Sequence, residues 1–252
     1  MDGDLVLQRY VPTYGWRTGL LGVCRDVPTL CHAEPGVLAG WLEHQRAPAK
    51  LASCLIWLVL GSGAYGASIG LWRAPLQSVY GGLKLPLLIL LTTGLNGLLN
   101  GILAQLLGAK IPFRQSLLMV LMSFAMLSLT LGSLTPLSLY LTYSLPPMGT
   151  EGAAHAHRVA LMVHTCLIGF SGTLATVRLY GLLRHVCGDP RVARRILCAW
   201  LTGNMFLGCQ LSWNLRPFFG TPSLEVTFLR ADSFDGSFYE AVFRIVTGWL
   251  GL

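Results

Sequence analysis

Between Lys84 and Lys110 the sequence reads LPLLILLTTGLNGLLNGILAQLLGA, a run of 25 residues without a charged side chain. A helix needs roughly 20 consecutive apolar residues to cross the hydrocarbon core of a bilayer. Four other charge-free stretches of this kind occur along the chain, which disfavours buried helices of a soluble protein. The predicted fold class is therefore all-α, a polytopic transmembrane bundle with five spans, at residues 51–72, 85–109, about 115–140, 159–177 and 196–215.

The composition agrees with a membrane bundle. Of the 252 residues, 53% are apolar and 12% are charged, whereas a soluble domain carries about 25% charged residues. The net charge of +7 lies mainly in the segments between the apolar stretches. Lys and Arg form no run interleaved with aromatic residues, the pattern expected of a nucleic-acid-binding surface. The predicted partners are the lipid bilayer and other membrane proteins, and not nucleic acid.

The distribution of basic residues predicts the orientation, because cytoplasmic loops carry an excess of Lys and Arg. With the N-terminus inside, the cytoplasmic segments hold eleven basic residues and the external loops hold three. Residues 1–50 are then a cytoplasmic N-terminal arm, residues 51–219 the five-helix bundle and residues 220–252 an external tail. The expected location is a bacterial inner membrane or a eukaryotic endomembrane, with the C-terminus on the side opposite to the N-terminus.

The end of the tail, residues 237–252, has the spacing of an amphipathic helix. Its apolar residues recur every three or four positions, and Glu240 and Arg244 lie four apart on the other side. Sixteen residues are fewer than the roughly 20 that a crossing requires. We therefore predict a helix that lies in the membrane interface or docks on the bundle, with a short sixth span as the alternative.

Glycines with helical spacing predict close helix packing. Gly66 and Gly70 lie four apart, as do Gly97 and Gly101, and small residues allow helices to approach one another in lipid. Residues 61–66 also match the GxGxxG pattern of dinucleotide-binding proteins. That pattern requires a preceding strand, whereas here it lies within an apolar stretch, so packing is the better interpretation.

Amide side chains are predicted within the second and fifth spans. Amides in hydrocarbon are costly without partners, so these should face the bundle interior. They either form hydrogen bonds between helices or line a polar path. No Asp or Glu lies within a predicted span, which disfavours a carboxylate proton relay. The amide residues are Asn96, Asn100, Asn204, Gln210 and Asn214.

Imidazole and carboxylate groups gather around the start of the fourth span. His157 and His164 are two helical turns apart and share a face, and such ligands suit zinc or another transition metal. No HExxH spacing accompanies them, and solvated loop histidines are the alternative interpretation. No cofactor is predicted otherwise. The candidate metal ligands are Glu151, His155, His157 and His164.

The stretch SWNLRPFFG at residues 212–220 is dense in aromatic residues around Arg216. Aromatic side chains of this kind form belts at membrane interfaces. Together with Asp232 and Asp235 of the tail, Arg216 is predicted to form an external polar patch. No nucleophile, base and acid occur together there, so the patch does not predict catalysis.

Two sequence elements resemble the Yip/Yif family of multi-spanning membrane proteins. Residues 78–82, SVYGG, stand where that family has an Asp-Leu-Tyr-Gly-Pro element, and residues 105–116, QLLGAKIPFRQS, follow its Leu-Leu-Gly-Gly turn and Phe-x-Gln-Ser entry. The resemblance covers about residues 78–125. It implies a five-helix membrane bundle with a cytoplasmic N-terminus.

Abundant glycines, amides in place of carboxylates and short loops favour a packing unit over a reaction site. The predicted function is a non-catalytic membrane bundle that organises protein or lipid partners as a subunit of a membrane complex. The first alternative is a transporter or channel-like element with an amide-lined path. The second is a membrane enzyme or metal site at the external histidine cluster.

Overall fold

A computed structural model describes residues 20–43, 47–147, 149–220 and 225–250, and these residues form helices and connecting segments without a strand. Long helices follow one another through short turns, so that neighbours in sequence pack antiparallel. The helices are α1 (Leu20–His32), α2 (Pro35–Ala39), a 3₁₀ turn (Gly40–Leu42), α3 (Ala47–Leu71), α4 (Pro75–Leu106), α5 (Phe113–Ser133), α6 (Thr135–Ser144), α7 (Ala153–Cys187), α8 (Pro190–Asn214) and α9 (Phe238–Leu250).

Four of the described helices, α3, α4, α5 and α7, are long and apolar enough to cross a membrane. The prediction of an all-α fold with membrane-spanning helices is confirmed at this level, and the fold is compatible with an integral membrane protein. Helices α4 and α7 have 32 and 35 residues, or about 48 and 52 Å at 1.5 Å per residue. Both are longer than a hydrocarbon core of roughly 30 Å. The fifth predicted helix forms as α8 but does not reach the same hydropathy, because it contains three arginines and three amides.

The helices differ in their bounds from two predicted spans. Helix α4 begins at Pro75, ten residues before the predicted span of residues 85–109, and Lys84 lies inside it. Pro75 suits this start because the first helical residue needs no backbone N–H partner. The third predicted span ends at Ser133 instead of about residue 140. The chain then turns into α6, whose first turn contains Pro136.

The described part of the predicted N-terminal arm packs into the core of the bundle. Leu30 and Leu38 are buried in one cluster with residues of α5, α7 and α8. Asp26 forms an ion pair with Lys50 at the start of α3, and Trp57 Nε1 donates a hydrogen bond to the carbonyl of Val23 at 2.9 Å. Residues 20–43 are thus a helical cap on one end of the bundle. Residues 1–19 of the arm lie outside the described residues.

Glycines bring the backbones of α3 and α4 into direct contact. A Cβ on Gly66 would lie 2.3 Å from the carbonyl oxygen of Gly81, and one on Gly70 would lie 2.2 Å from that of Gln77. Distances this short are incompatible with a side chain, and backbone atoms cannot rotate away as side chains can. The two glycines predicted for close packing in α3 therefore lie against the α4 backbone.

The glycines predicted for packing in α4 meet side chains instead of backbone. A Cβ on Gly97 would lie 2.9 Å from Cδ1 of Leu117, and one on Gly101 would lie 2.6 Å from Cδ2 of Phe113. Both contacts join α4 to α5. Since a leucine or phenylalanine side chain can change its rotamer, this contact is more adaptable than the one between α3 and α4.

Replacing Gly66 by alanine should lower the free energy of unfolding by about 1–3 kcal/mol, the usual cost of overpacking a close contact. The added methyl group would force α3 and α4 apart. Thermal unfolding in a mild detergent measures the loss. Gly94→Ala is the matched control, because a Cβ at Gly94 meets nothing within 4 Å, and it should cause no loss. Equal losses in both variants would contradict the prediction.

Candidate functional site

The candidate site lies at the end of the bundle formed by the α3–α4 turn, the loop before α7 and the residues after α8. Trp72 Nε1 donates a hydrogen bond to the carbonyl of Pro146 at 3.1 Å, which joins the α3–α4 turn to the loop before α7. We call residues 215–220 the strap, because they fold back from the end of α8 over this end of the bundle. Gly220 ends the strap with a φ of +73°, and a Cβ there would lie 2.7 Å from Cγ of Arg73.

Two polar side chains of α4 hold the strap. Lys84 Nζ donates a hydrogen bond to the carbonyl of Pro217 at 2.8 Å. Gln77 Nε2 donates to the carbonyls of Pro217 and Phe218 at 3.1 and 2.8 Å. Both side chains are fully buried, and Lys84 Nζ lies 5.0 Å from the centre of the Phe228 ring. The strap carbonyls thus give partners to an ammonium and an amide that would be costly to bury alone.

Aromatic and imidazole rings fill the space beneath the strap. His164 and Tyr65 are both buried, and the Tyr65 hydroxyl and His164 Nδ1 are hydrogen-bonded at 2.8 Å. Phe219 of the strap lies edge-on to His164, with ring centres 5.1 Å apart. His157, two turns earlier on α7, stacks on Trp72 at 5.9 Å. Both histidines therefore face the interior, and they lie on one face of α7.

The four metal candidates are divided between the interior and the surface. His157 and His164 contact aromatic residues, whereas Glu151 and His155 are exposed. Within the described ranges no three His, Cys, Asp or Glu side chains come together as a metal-holding group. What the structure brings together here is a Tyr–His hydrogen bond within an aromatic cluster.

The amides of α4 and α8 meet across the helix interface. Asn204 Oδ1 accepts hydrogen bonds from Asn96 Nδ2 at 2.8 Å and from Asn100 Nδ2 at 3.4 Å. Trp200, fully buried, donates from Nε1 to the carbonyl of Asn100 at 2.7 Å. A Cβ on Gly203 would lie 2.8 Å from Asn96 Nδ2, so this glycine makes room for the amide contact. Three of the five predicted intramembrane amides form one cluster.

Of the other two amides, Gln210 connects α8 to α9, and Asn214 bonds to Gln210 within α8. Gln210 Nε2 donates to Asn214 Oδ1 at 3.0 Å, and Gln210 Oε1 accepts from the backbone N–H of Phe238 at 3.2 Å. Tyr239 stacks on Phe206 with ring centres 4.7 Å apart. The start of α9 is therefore fixed to α8.

The external patch is assembled in part. Arg216 NH2 forms an ion pair with Asp232 Oδ2 at 3.0 Å and also donates to the Asp232 carbonyl at 3.1 Å. Its guanidinium lies over the Trp213 ring, 3.7 Å from the ring centre. The hydrogen bond from Arg216 holds the pKa of Asp232 below its ordinary value. Asp235 is exposed one turn further on, and its backbone N–H donates to the Asp232 carbonyl.

Sequence reasoning missed Gln77, Lys84 and Tyr65 as site residues. The second predicted span begins directly after Lys84, because a charged residue beside an apolar stretch ordinarily faces water. One available signal was the helix-start pattern at Pro75, which places Lys84 more than two turns inside a helix. Its partner, the Pro217 carbonyl, is 133 residues away in sequence, and no local pattern indicates it.

Tyr65 and His164 are enclosed by the protein, which limits the access of a substrate to them. The Tyr65–His164 pair resembles an acid–base arrangement, but both side chains are buried beneath Phe219. No family model matches the chain, and neither a curated protein nor a solved structure matches it.

Replacing Gln77 by leucine together with Lys84 by methionine should release the strap. Three hydrogen bonds are lost, each worth about 1 kcal/mol, so the open form should become on the order of a hundredfold more populated. Chymotrypsin cleavage after Phe219 in mild detergent, at concentrations where opening equilibrates before cleavage, should accelerate by the same factor.

The matched control for the strap variant is Gln105→Leu with Lys110→Met, at the other end of α4, where both side chains are exposed. This pair should leave the cleavage rate after Phe219 unchanged. Unaltered cleavage in the Gln77/Lys84 variant would show that other contacts hold the strap.

Proposed function

We propose that this chain is a non-catalytic integral membrane bundle that organises protein or lipid partners as a subunit of a membrane complex. The observation that carries the proposal is the way its interior polar groups are used. Asn96 and Asn204, Tyr65 and His164, and Ser68 and Ser138 are hydrogen-bonded between helices. These three pairs hold helices together, and the atoms that form them are not free to bind a solute.

The bundle has five spans in this proposal, with α8 as the fifth. Its 25 residues extend about 37 Å, which is enough to cross a hydrocarbon core of roughly 30 Å. Its amides lower the mean hydropathy but have protein partners on α4, α9 and α8 itself, so they do not need water. The Yip/Yif resemblance of residues 78–125 implies the same five-helix architecture.

Helix α9 is an interfacial helix in this proposal. Its 13 residues extend about 20 Å, less than the hydrocarbon thickness. Val242, Phe243, Ile245 and Val246 are exposed, with Phe243 at 67% and Ile245 at 61%. In water such a stripe would be unfavourable by roughly 25 cal/mol per Å² of apolar surface. Its burial against acyl chains or a partner removes that cost.

One observation favours the alternative of an amide-lined path. Asn100 Oδ1 is buried and has no hydrogen-bond partner among the described residues. A passing cation or hydroxyl group could use this oxygen. The two functions differ in what Asn204 does, since it stabilises the fold in the first and lines the path in the second.

The variant Asn204→Leu should lower the free energy of unfolding by about 1–2 kcal/mol, the range of inter-helix hydrogen bonds in membranes. Thermal unfolding in detergent measures this loss. Thr173→Val is the control, because the Thr173 hydroxyl is exposed and bonds within its own helix. Liposomes with the wild-type chain should pass potassium, chloride and glycerol no faster than empty liposomes. Wild-type flux that Asn204→Leu abolishes would establish the transport alternative.

The orientation can be measured with single cysteines in a variant that lacks the seven native ones. Glu151→Cys and Asp235→Cys should react with an impermeant maleimide from outside intact cells, because both positions lie on the predicted external side. Pro190→Cys should react once the membrane is opened. Labelling at position 151 without labelling at position 235 would mean that α8 does not cross the membrane. Labelling at position 190 from outside intact cells would contradict the predicted orientation.

A further inference from the structure

The outer face of α8 changes character along its length. Arg191, Arg194 and Arg195 are exposed in its first two turns. Leu201, Met205 and Phe206 follow, exposed by 39%, 59% and 62%, and one face of the Phe206 ring stacks on Tyr239 of α9. These six residues form a cationic region followed by an apolar one on the outside of the helix.

The opposite face of α8 is packed against the bundle. Ala193, Ile196 and Trp200 are each fully buried and belong to the same core cluster as Leu30 and Leu38. The arginines cannot turn inward without displacing this core. Among the described residues no acidic side chain forms an ion pair with any of the three arginines. Asp189, the nearest acid in sequence, is the N-cap of α8 and accepts a hydrogen bond from the Arg191 backbone N–H at 2.8 Å.

We propose that this face binds a phospholipid with an anionic headgroup. The phosphate lies at Arg191, Arg194 and Arg195, and one acyl chain lies along Leu201, Met205 and Phe206. From Arg195 to Phe206 the helix rises about 16 Å, close to one leaflet, which is half of a hydrocarbon core of roughly 30 Å. The two regions therefore match the headgroup level and the chain region of a single leaflet.

The physical basis is the pairing of guanidinium groups with phosphate. A guanidinium presents its N–H donors in a fork that matches phosphate oxygens. A zwitterionic headgroup also has a phosphate, but its ammonium would be repelled by three arginines. The site should therefore distinguish headgroups by net charge.

This inference rests on the proposed placement of α8 in the membrane, and the two can fail separately. If alkaline carbonate releases the chain from membranes, both are overturned. If the chain stays inserted but binds phosphatidylglycerol and phosphatidylcholine equally well, the lipid site alone is overturned. If inorganic phosphate at millimolar concentration displaces phosphatidylglycerol, the arginines bind a free anion. That result would overturn the lipid site as well.

The test is a titration of the full chain in neutral-detergent micelles, with native mass spectrometry to count bound lipids. One phosphatidylglycerol should bind at least tenfold more tightly than phosphatidylcholine. Each arginine near a membrane surface contributes about 1 kcal/mol to attraction of acidic lipids, or about fivefold in affinity. Arg194→Gln with Arg195→Gln should therefore weaken phosphatidylglycerol binding about 25-fold and leave phosphatidylcholine binding unchanged.

The matched control is Arg158→Gln with Arg244→Gln, which removes two exposed arginines outside α8. Its affinity for phosphatidylglycerol should stay within twofold of the wild type. An equal loss in the two double variants would show general charge attraction and overturn the site. Met205→Ser tests the chain region, because it should weaken the phosphatidylglycerol complex without changing the headgroup preference. No effect from Met205→Ser would overturn the assigned chain path.

Discussion

Hydrocarbon offers no hydrogen-bond partner, so a polar side chain within a membrane bundle must find one in the protein or face a large desolvation cost. In the proposed bundle, the contacts between α4 and α8 follow from this constraint. Asn204 accepts from Asn96 and Asn100, and Trp200 donates to the Asn100 carbonyl. Each contact is directional, so together they fix the relative position of the two helices, which apolar packing alone would leave less specific.

The same constraint explains why the strap lies where it does. Gln77 and Lys84 bring an amide and an ammonium into the interior, and backbone carbonyls after α8 are acceptors within reach. Phe219 then covers the Tyr65–His164 pair. Removing the strap would leave buried donors without acceptors, so it belongs to the bundle as much as the helices do. The contact with Arg73 at Gly220 closes it against the α3–α4 turn.

The helices themselves could be predicted from the sequence, because apolar stretches of about 20 residues without a charge are typical of membrane-spanning helices. Gly66 and Gly70 could be assigned to helix packing for a similar local reason, their four-residue spacing. The strap anchors could not be predicted. A lysine inside α4 is tolerable because of a carbonyl 133 residues away, and the aromatic stretch at residues 212–220 gives no sign that it folds inward. Contacts of such long range depend on the assembled bundle.

In the proposed five-span bundle, α8 is a membrane helix of low mean hydropathy. The mean hydropathy of such a helix averages over the face that packs against protein and the face that contacts lipid, although the two faces have different surroundings. Asn204 and Gln210 have partners on α4 and α9, so their polarity costs little where they lie. The outer residues Leu201, Met205 and Phe206 are apolar and exposed, as contact with acyl chains requires. A helix whose polar groups are paired within the protein can cross a bilayer at a lower mean hydropathy than one surrounded by lipid, because the surface that lipid contacts determines the transfer cost.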